Sequence, residues 1–442
     1  MQRPVDRLVD LLDPRLNQLH NVDEDEARRR VLAGDPSGVR GIDGSFALVA
    51  ADGITVRMAR SMDRPMRYFL AKRHEGPALF VADRIDTLQQ ALNEVGFGSQ
   101  FHPSYTRMVP AHYIVELQLV GCPDPDPTYT RFFTPGRGTL PPDLDEIGHR
   151  YIGALSDEIA KWLQAIDRKD NTAPIGVSFS GGIDSGSVLL LTYHTMLRLG
   201  MTPARLKAFV LNLGDGADVE QARAFLAATG LSLLLEEIGG SAGDLDVEHT
   251  LRVLEDYKSL DVECAAMGLL LCKGIRERYP EWRHLADGDG GDENLKDYPI
   301  EENPELSIRS VVDNLMLYQE GWGVGRIKHS LTYSGGLSRS YVRTYAPARQ
   351  YGFDSFSPYT RPDVIDVAEG IPFAGLTGYD VPTLYALKGE IVRRGVKSVT
   401  GIDMPVFPKR RFQHGTTSID VMRQRLGQSE RDYRHAFERI YA

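Results

Sequence analysis

The fold prediction starts from Val177-Ser178-Phe179-Ser180-Gly181-Gly182-Ile183-Asp184-Ser185, in which a short apolar strand delivers two glycines to the start of a helix. Glycines let backbone N–H groups close around phosphate oxygens, and the N-terminus of a helix adds donors and a favourable dipole. The serine hydroxyls add further donors, and Asp184 is placed to hold Mg²⁺ beside the phosphates. We interpret the stretch as a loop for the pyrophosphate half of ATP. No G-x-x-x-x-G-K-[ST] pattern is present, so it is not the loop of ordinary γ-phosphate hydrolases. A glycine-rich turn without a ligand is the alternative.

Strand and helix patterns alternate around this loop. Apolar runs of strand length lie at 174–179, 206–211, 231–235 and 284–286, and helical periodicity lies at 143–165, 186–199, 219–229 and 262–278. Strands that alternate with helices predict a parallel sheet covered on both faces. The fold class is therefore α/β over residues 141–442.

The first 140 residues have a different character, and a chain of 442 residues is too long for one core. Strand patterns lie at 45–50, 54–56, 78–81 and 113–119. A segment rich in Pro, Asp and Gly at 122–142 is predicted to be a linker. We therefore predict a smaller, mainly β domain over residues 1–140.

An acidic loop, Asp287-Gly288-Asp289-Gly290-Gly291-Asp292-Glu293, follows the predicted strand at 284–286. Its carboxylates would repel each other unless cations or hydrogen bonds compensate, and Mg²⁺ prefers such oxygen ligands. At the carboxyl end of a strand of the same sheet, this loop would face the first one across a ligand crevice. A solvated acidic turn is the alternative.

A basic loop, Pro408-Lys409-Arg410-Arg411-Phe412-Gln413-His414-Gly415-Thr416-Thr417, stands out in an acidic chain. Three adjacent cations could meet a polyphosphate, and an exposed basic loop is the alternative. The last stretch, residues 418–442, is rich in Arg and Glu and predicts an exposed helix.

Bulk composition excludes several classes of protein. A net charge of −10 argues against a nucleic-acid partner. No apolar run approaches about 18 residues and no signal peptide pattern occurs, so we expect a cytoplasmic protein without membrane contact. Cys122, Cys264 and Cys272 form neither a disulfide framework nor a metal site, and the last two are predicted to pack in the core. The oligomeric state stays open, with a homodimer as one alternative.

The three clusters, in this order, resemble the asparagine synthetase family, including the β-lactam synthetases. The resemblance spans residues 147–417 and rests on 178–185, 288–293 and the Lys-x-x-Phe pattern at 409–412. It implies an ATP pyrophosphatase (PP-loop, adenine nucleotide α-hydrolase-like) fold. It also implies an enzyme that uses ATP and Mg²⁺ to adenylate a carboxylate, releases pyrophosphate and lets an amine displace AMP.

The same resemblance assigns roles to individual residues. Asp184 and Asp292 match magnesium ligands, and Lys409 matches a lysine that stabilises the charge developing during adenylation and amide formation. Asp289 occupies the position of a residue that helps to deprotonate the amine. The ATP-binding positions are Ser178, Ser180, Gly181, Gly182, Asp184, Ser185 and Gly288, together with Leu211, which ends the second predicted strand and whose backbone would contact adenine.

The chain also departs from glutamine-using members, which begin Met-Cys. It begins Met1-Gln2-Arg3, and no cysteine precedes Cys122. Because an N-terminal thiol is then missing, we predict that residues 1–140 are a shortened glutaminase-like domain without activity. The tail at 414–418 resembles β-lactam synthetases, whereas Asp289 is of the asparagine synthetase type. Glu320 is a candidate for the glutamate of the β-lactam synthetases, and an ordinary surface glutamate is the alternative.

The expected function is an ATP-dependent, AMP- and pyrophosphate-forming amide synthetase for a small carboxylate and an amine, without glutamine hydrolysis. The amide would form within one molecule, as in a lactam of the kind found in antibiotic biosynthesis, or between two, with ammonia as an alternative amine. One rival is another pyrophosphatase-loop enzyme such as a tRNA-modifying ligase, which the acidic charge disfavours. The other is a nucleotide-binding scaffold without catalysis.

Overall fold

The structure is a computed structural model that describes residues 7–74, 76–121, 126–214, 216–297, 300–302, 307–313, 339–407 and 424–442. These residues divide into two compact units. The first lies within Met1–Thr134 and Arg434–Ala442, and the second lies within Pro135–Leu317 and Ser340–Tyr433. Across the described residues, the α/β fold class with a smaller β-rich N-terminal region is confirmed.

The described part of the first unit contains two four-stranded sheets and a two-stranded ribbon. Its strands are β1 (Leu8–Leu11), β2 (Gln18–Leu19), β3 (Gly44–Ser45), β4 (Ala47–Asp52), β5 (Thr55–Arg60), β6 (Arg67–Ala71), β7 (Ala78–Ala82), β8 (Arg107–Met108), β9 (Tyr113–Gln118) and β10 (Thr128–Arg131). The sheet orders are β1-β7-β6-β8 and β10-β9-β5-β4, and β2 pairs with β3. The pairing of β1 with β7 is parallel, whereas β4, β5, β9 and β10 form an antiparallel sheet.

The two larger sheets of the first unit share one apolar core. Period-two alternation turns Val56 and Met58 of β5 inward, where they meet Leu79 and Val81 of β7. The helices of this unit are α1 (Glu24–Ala33), α2 (Pro36–Arg40) and α3 (Ile85–Glu94). Helix α3 covers the outer face of β6 and β7, and α1 packs against β4 and β5. The unit is therefore layered as helix, sheet, sheet, helix.

The second unit is built on a parallel sheet. The strands that the structure describes there are β11 (Ile175–Ser178), β12 (Leu206–Asn212), β13 (Leu235–Gly239), β14 (His284–Ala286) and β15 (Asp354–Phe356). Their order is β13-β12-β11-β14-β15, and every pair is parallel. The chain runs outward from β11 in one direction and then crosses to β14 on the other side. Such a reversal leaves a crevice at the carboxyl ends of the two central strands.

Helices surround this sheet. They are α4 (Leu144–Lys169), α5 (Ile183–Arg198), α6 (Asp218–Ala228), α7 (Val247–Leu254), α8 (Ser259–Arg278), α9 (Gly291–Asn294), α10 (Ile308–Val312), α11 (Arg339–Gln350), α12 (Pro362–Glu369), α13 (Phe373–Thr377) and α14 (Val381–Thr400). The last described helix, α15 (Glu430–Ile440), lies mostly within the residues of the first unit. Helix α4 begins after Asp143, whose carboxylate accepts hydrogen bonds from the N–H groups of Asp145 and Glu146.

Helices α4 and α14 touch through a pair of glycines. A Cβ atom on Gly395 would lie 2.2 Å from the carbonyl oxygen of Gly148, and a Cβ atom on Gly148 would lie 2.8 Å from the amide nitrogen of Gly395. Because no side chain separates the two backbones here, α4 fixes the position of α14. Lys388 lies seven residues before Gly395, about two turns away along the same side of the helix.

Two predicted boundaries in the second unit are wrong. The prediction placed a strand at 231–235, but β13 begins only at Leu235, because 232–234 form a turn of 3₁₀ helix in which Leu233 is 92% exposed. The prediction also began a helix at 186, whereas α5 begins at Ile183. Asp184 and Ser185 therefore lie in the first turn of a helix, not in the preceding loop.

Two other predictions need correction outside this sheet. The segment 122–142 was predicted to be a linker, but Thr128–Arg131 form strand β10 beside β9, since Thr-Tyr-Thr favours extended backbone. The C-terminal helix was predicted to be exposed, but Tyr433 and Phe437 of α15 are buried. Their i, i+4 spacing gives this charged helix one apolar side.

The described cysteines follow the prediction, since Cys264 and Cys272 are free and buried in α8. Cys122 lies outside the described residues. In the part of the chain that the structure describes, none of the helices combines the length and apolar character needed to cross a bilayer.

Candidate active site

The two predicted loops leave neighbouring strands at the crevice of the parallel sheet. The first follows Ser178, the last residue of β11, and the second follows Ala286, the last residue of β14. Since β11 and β14 pair in parallel, both loops emerge at the same edge of the sheet. The first loop then enters α5, so the N-terminus of this helix lies at the same edge. The first N–H groups of a helix have no partner within the helix itself.

The first loop has a conformation that requires glycine. Gly181 has a φ of 74°, and a Cβ atom there would lie 2.9 Å from the amide nitrogen of Ala222 in α6. The hydroxyl groups of Ser180 and Ser185 lie 3.3 Å apart, and the amide of Ser180 donates to the Ser185 hydroxyl at 3.2 Å. Among the described residues, the Ser178 hydroxyl is buried without a hydrogen-bond partner. The loop therefore places three hydroxyl groups and a helix N-terminus together.

The second loop packs directly on the first. A Cβ atom on Gly291 would lie 2.2 Å from Oδ1 of Asp184, and a Cβ atom on Gly288 would lie 2.7 Å from the amide nitrogen of Ser185. The two glycines thus allow the acidic loop to approach the first turn of α5. Tyr359 also contacts the start of α5, where its hydroxyl lies 2.5 Å from the Ser187 hydroxyl.

The centre of the site is the ammonium group of Lys388, which projects from α14. It donates to Oδ2 of Asp184 at 2.6 Å and to Oδ1 of Asp292, and Oδ2 of Asp297 lies 3.6 Å away. Lys388 is 3% exposed. Burial alone would lower the pKa of Lys388, but the three carboxylates raise this pKa well above its usual value. The amine is therefore charged, and one cation joins carboxylates from both loops.

The arrangement of Asp184 and Asp292 fits a magnesium ion that also has ligands from a bound substrate. Both carboxylates lie within hydrogen-bond distance of one nitrogen, so they converge on one cation position. Within the described residues, no group of three or more His, Cys, Asp or Glu side chains is arranged to hold a metal. Mg²⁺ bound by two carboxylates then requires phosphate oxygens and water to complete its coordination, as in many phosphate-processing enzymes.

Two further aspartates of the acidic loop have separate roles. Asp287 is buried, and its carboxylate accepts from the Ser357 hydroxyl at 2.9 Å and from the amide of Asp289 at 3.0 Å. This bonding shapes the loop. Burial, followed by the nearby Asp287 carboxylate, raises the pKa of Asp289 well above its usual value, although Arg343 opposes the shift. Asp289 is therefore the carboxylate of this loop with the character of a base.

Other buried charges form a wall beside Asp289. Nε of Arg343 lies 3.1 Å from Oδ1 of Asp261, and a second guanidinium nitrogen lies 3.8 Å from Oε1 of Glu293. Asp256 is buried nearby, and burial together with the Asp261 carboxylate raises the pKa of Asp256 to about 7. Carboxylates outnumber the one arginine in this cluster, so the wall favours a cationic or hydrogen-bond-donating group.

The structure brings most of the predicted site residues together. Ser178, Ser180, Gly181, Gly182, Asp184, Ser185, Gly288, Asp289 and Asp292 all lie at the crevice formed by the two loops. Leu211 is buried in the core and pairs with Ile238 of β13, so its contact with adenine stays a prediction. Lys409 and Glu320 lie outside the described residues.

Lys388 is a site residue that was not predicted from the sequence. Its side chain falls among the apolar positions Leu384, Leu387, Ile391 and Val392 of α14, which are buried at helical spacing. A lysine within such an apolar stripe needs a buried counter-charge. That pattern is visible in the sequence and could have marked the residue.

Comparison with known families agrees with this geometry. A family model described as asparagine synthase matches residues 163–354, which include β11 to β14 and both loops. No curated protein sequence matches the chain.

Proposed function

Residues 163–354 belong to the asparagine synthase family of ATP-dependent carbon–nitrogen ligases, and from this premise we propose a specific reaction for the chain. It adenylates a small carboxylate with ATP, releases pyrophosphate, and transfers the acyl group to an amine with release of AMP. Glutamine is not the nitrogen source. The amide forms either within one molecule or between two.

The observation that carries this proposal is the convergence of Asp184 and Asp292 on one ammonium group at the end of the sheet. Two carboxylates from different loops that share one cation position, next to a helix N-terminus, suit a magnesium–polyphosphate complex. A magnesium ion held by these carboxylates would neutralise part of the charge on the leaving pyrophosphate.

The residues of the first loop act on the phosphates. N–H groups at the start of α5 and the hydroxyls of Ser180 and Ser185 would hold the pyrophosphate oxygens and keep water away from them. The Lys388 ammonium adds positive charge at the same place. Since attack on the α-phosphate develops negative charge on the leaving group, such fixed donors and cations lower the barrier.

Asp289 suits the second half of the reaction. An attacking amine must be neutral, so a base within hydrogen-bond reach has to accept its proton. The raised pKa of Asp289, caused first by burial and then by Asp287, makes this carboxylate a better proton acceptor than an exposed aspartate. The acidic wall around Arg343 would attract a protonated amine to this position.

The sequence of the first unit supports independence from glutamine. No cysteine occurs before Cys122, so none of the residues that the structure describes in β1 to β9 carries a thiol nucleophile. Ammonia or a primary amine is the proposed nitrogen donor.

Exchange of labelled pyrophosphate into ATP tests the proposal. A panel of small carboxylates is incubated with the chain, Mg²⁺, ATP and labelled pyrophosphate, and at least one should support exchange. Asp184→Asn should abolish exchange because it removes one arm of the metal site. Asp157→Asn, on the exposed side of α4, is the matched control and should leave the rate unchanged. Exchange that survives in Asp184→Asn, or that no carboxylate supports, contradicts the proposal and favours a nucleotide-binding scaffold.

A further inference from the structure

Lys388 occupies the position that a metal ion would take. Its ammonium nitrogen is bonded to Oδ2 of Asp184 and Oδ1 of Asp292, the two carboxylates that the proposed function gives to magnesium. The residue is almost fully buried and comes from a different element, α14. The site therefore contains its own cation before any ligand enters.

The ammonium group and a magnesium ion compete for the same oxygen atoms. An ammonium–carboxylate hydrogen bond uses the lone pairs that a direct Mg–O bond requires. The two cations would also repel each other strongly at such short separation in a buried place. A free magnesium ion offers no compensation for displacing the lysine, since it brings only water into the site.

We propose that Lys388 is a displaceable internal cation that fills the magnesium position of the nucleotide-free protein, so that the metal enters this site only together with the nucleotide. The inference rests on the proposed function, because it assumes that Asp184 and Asp292 are the metal-binding arms. Lys388 is thereby a positioning residue that sets the order of binding.

The surroundings of Lys388 provide a place for the displaced ammonium group. Asp297 is mostly buried, and its Oδ2 lies 3.6 Å from the ammonium nitrogen, so it is the next partner within reach. The helix itself is held by the contact between Gly395 and Gly148, and the flexible lysine stem accommodates the movement. Once the polyphosphate is present, its negative charge attracts both cations and keeps the displaced ammonium beside the phosphates.

Binding of Mn²⁺, a paramagnetic substitute for Mg²⁺, tests this inference without any turnover. Electron paramagnetic resonance measures free Mn²⁺ in the presence of the full chain, with and without the non-hydrolysable analogue α,β-methylene-ATP. The wild-type chain should bind Mn²⁺ at the site only with the nucleotide. Lys388→Met should bind Mn²⁺ without nucleotide about tenfold or more tightly than wild type, because the competing charge is removed.

Two variants separate this role from a merely structural one. Lys388→Arg keeps the positive charge but alters the packing around the side chain. It should still exclude free Mn²⁺, and this result would show that the charge, not the packing, keeps the metal out. Lys397→Met is the matched control on α14, because Lys397 is 58% exposed and pairs with Asp403. It should leave Mn²⁺ binding unchanged in both conditions.

The outcomes distinguish this inference from the proposed function. Tight binding of Mn²⁺ to the nucleotide-free wild type overturns the inference and leaves the proposed function intact. Absence of Mn²⁺ binding even with the nucleotide analogue contradicts the proposed function itself. If Lys388→Met does not fold, the wild-type titration still decides, and Asp297→Asn gives an independent test.

The Asp297→Asn variant should weaken binding of the Mn²⁺–nucleotide complex several-fold, since the displaced ammonium loses its next partner. Unchanged binding would overturn the relocation to Asp297.

Discussion

Replacement of Gly395 by alanine should separate α4 from α14 and disturb the site two turns away. The new Cβ atom would lie 2.2 Å from the carbonyl oxygen of Gly148, whereas ordinary van der Waals contact begins at 3.4 Å. The helices must therefore move apart by about 1.2 Å, the difference between these distances. A second close contact, 2.4 Å to Cγ1 of Ile152, opposes a simple rotation.

The energetic consequence follows from two opposing effects. Overpacking of a well-packed interface costs about 1–3 kcal/mol. Alanine in place of glycine within a helix returns up to about 1 kcal/mol. With about 1 kcal/mol returned, the net expectation for Gly395→Ala is a loss of up to about 2 kcal/mol in the free energy of unfolding. Lys388 lies on the same helix, so pyrophosphate exchange should also decrease.

Urea denaturation followed by circular dichroism measures the change in stability. Gly153→Ala is the matched control, because Gly153 is in α4 and a Cβ atom there would meet nothing within 4 Å. This control should gain about 0.5–1 kcal/mol from helix propensity alone. If Gly395→Ala is as stable as Gly153→Ala, the backbone contact between α4 and α14 does not exist as described.

Three further predictions concern buried charges. If Asp289 accepts the amine proton, kcat/KM should fall on the acid side at a pH above about 4, the ordinary aspartate range, because the pKa of Asp289 is raised. The same fall in Asp289→Asn would refute this role. The folded-state pKa of Asp256, about 7, exceeds its unfolded value, so its carboxyl stabilises the fold most at acidic pH and this contribution is lost as pH rises through about 7. Asp256→Asn should therefore gain more stability over wild type at pH 8 than at pH 5, and equal differences in urea denaturation at the two pH values would contradict the assignment. Arg343→Met removes the arginine partner of buried Asp261 and should lower the free energy of unfolding by about 3–5 kcal/mol. Arg150→Met, which removes an exposed ion pair within α4, should cost only about 0.3–0.5 kcal/mol, and similar losses for both variants would argue against a buried pair.

The sequence predicts the parallel sheet and both loops because their signals are local. A strand, two glycines and a helix start within nine residues define the first loop, and alternating carboxylates and glycines define the second. Short helical turns are harder, since 231–235 has the composition of a strand although Leu233 faces solvent.

The partners of Lys388 show what the sequence could not predict. Its ion pair with Asp184 joins residues 204 positions apart, and nothing near Lys388 in the sequence indicates that contact. The pair depends on where α14 lies against α4, which the glycines at 148 and 395 determine only after both helices have formed. Long-range packing, not local propensity, places this cation.

The most direct test of the account is the identity of the nucleotide that the chain releases. Wild-type protein is incubated with ATP, Mg²⁺, pooled small carboxylates and amines, and the nucleotides and amide products are quantified by chromatography and mass spectrometry. We expect AMP and pyrophosphate in amounts equal to the amide formed, and no nucleotide turnover in Asp184→Asn. Release of ADP and inorganic phosphate with the amide would contradict attack at the α-phosphate, and with it the proposed adenylation.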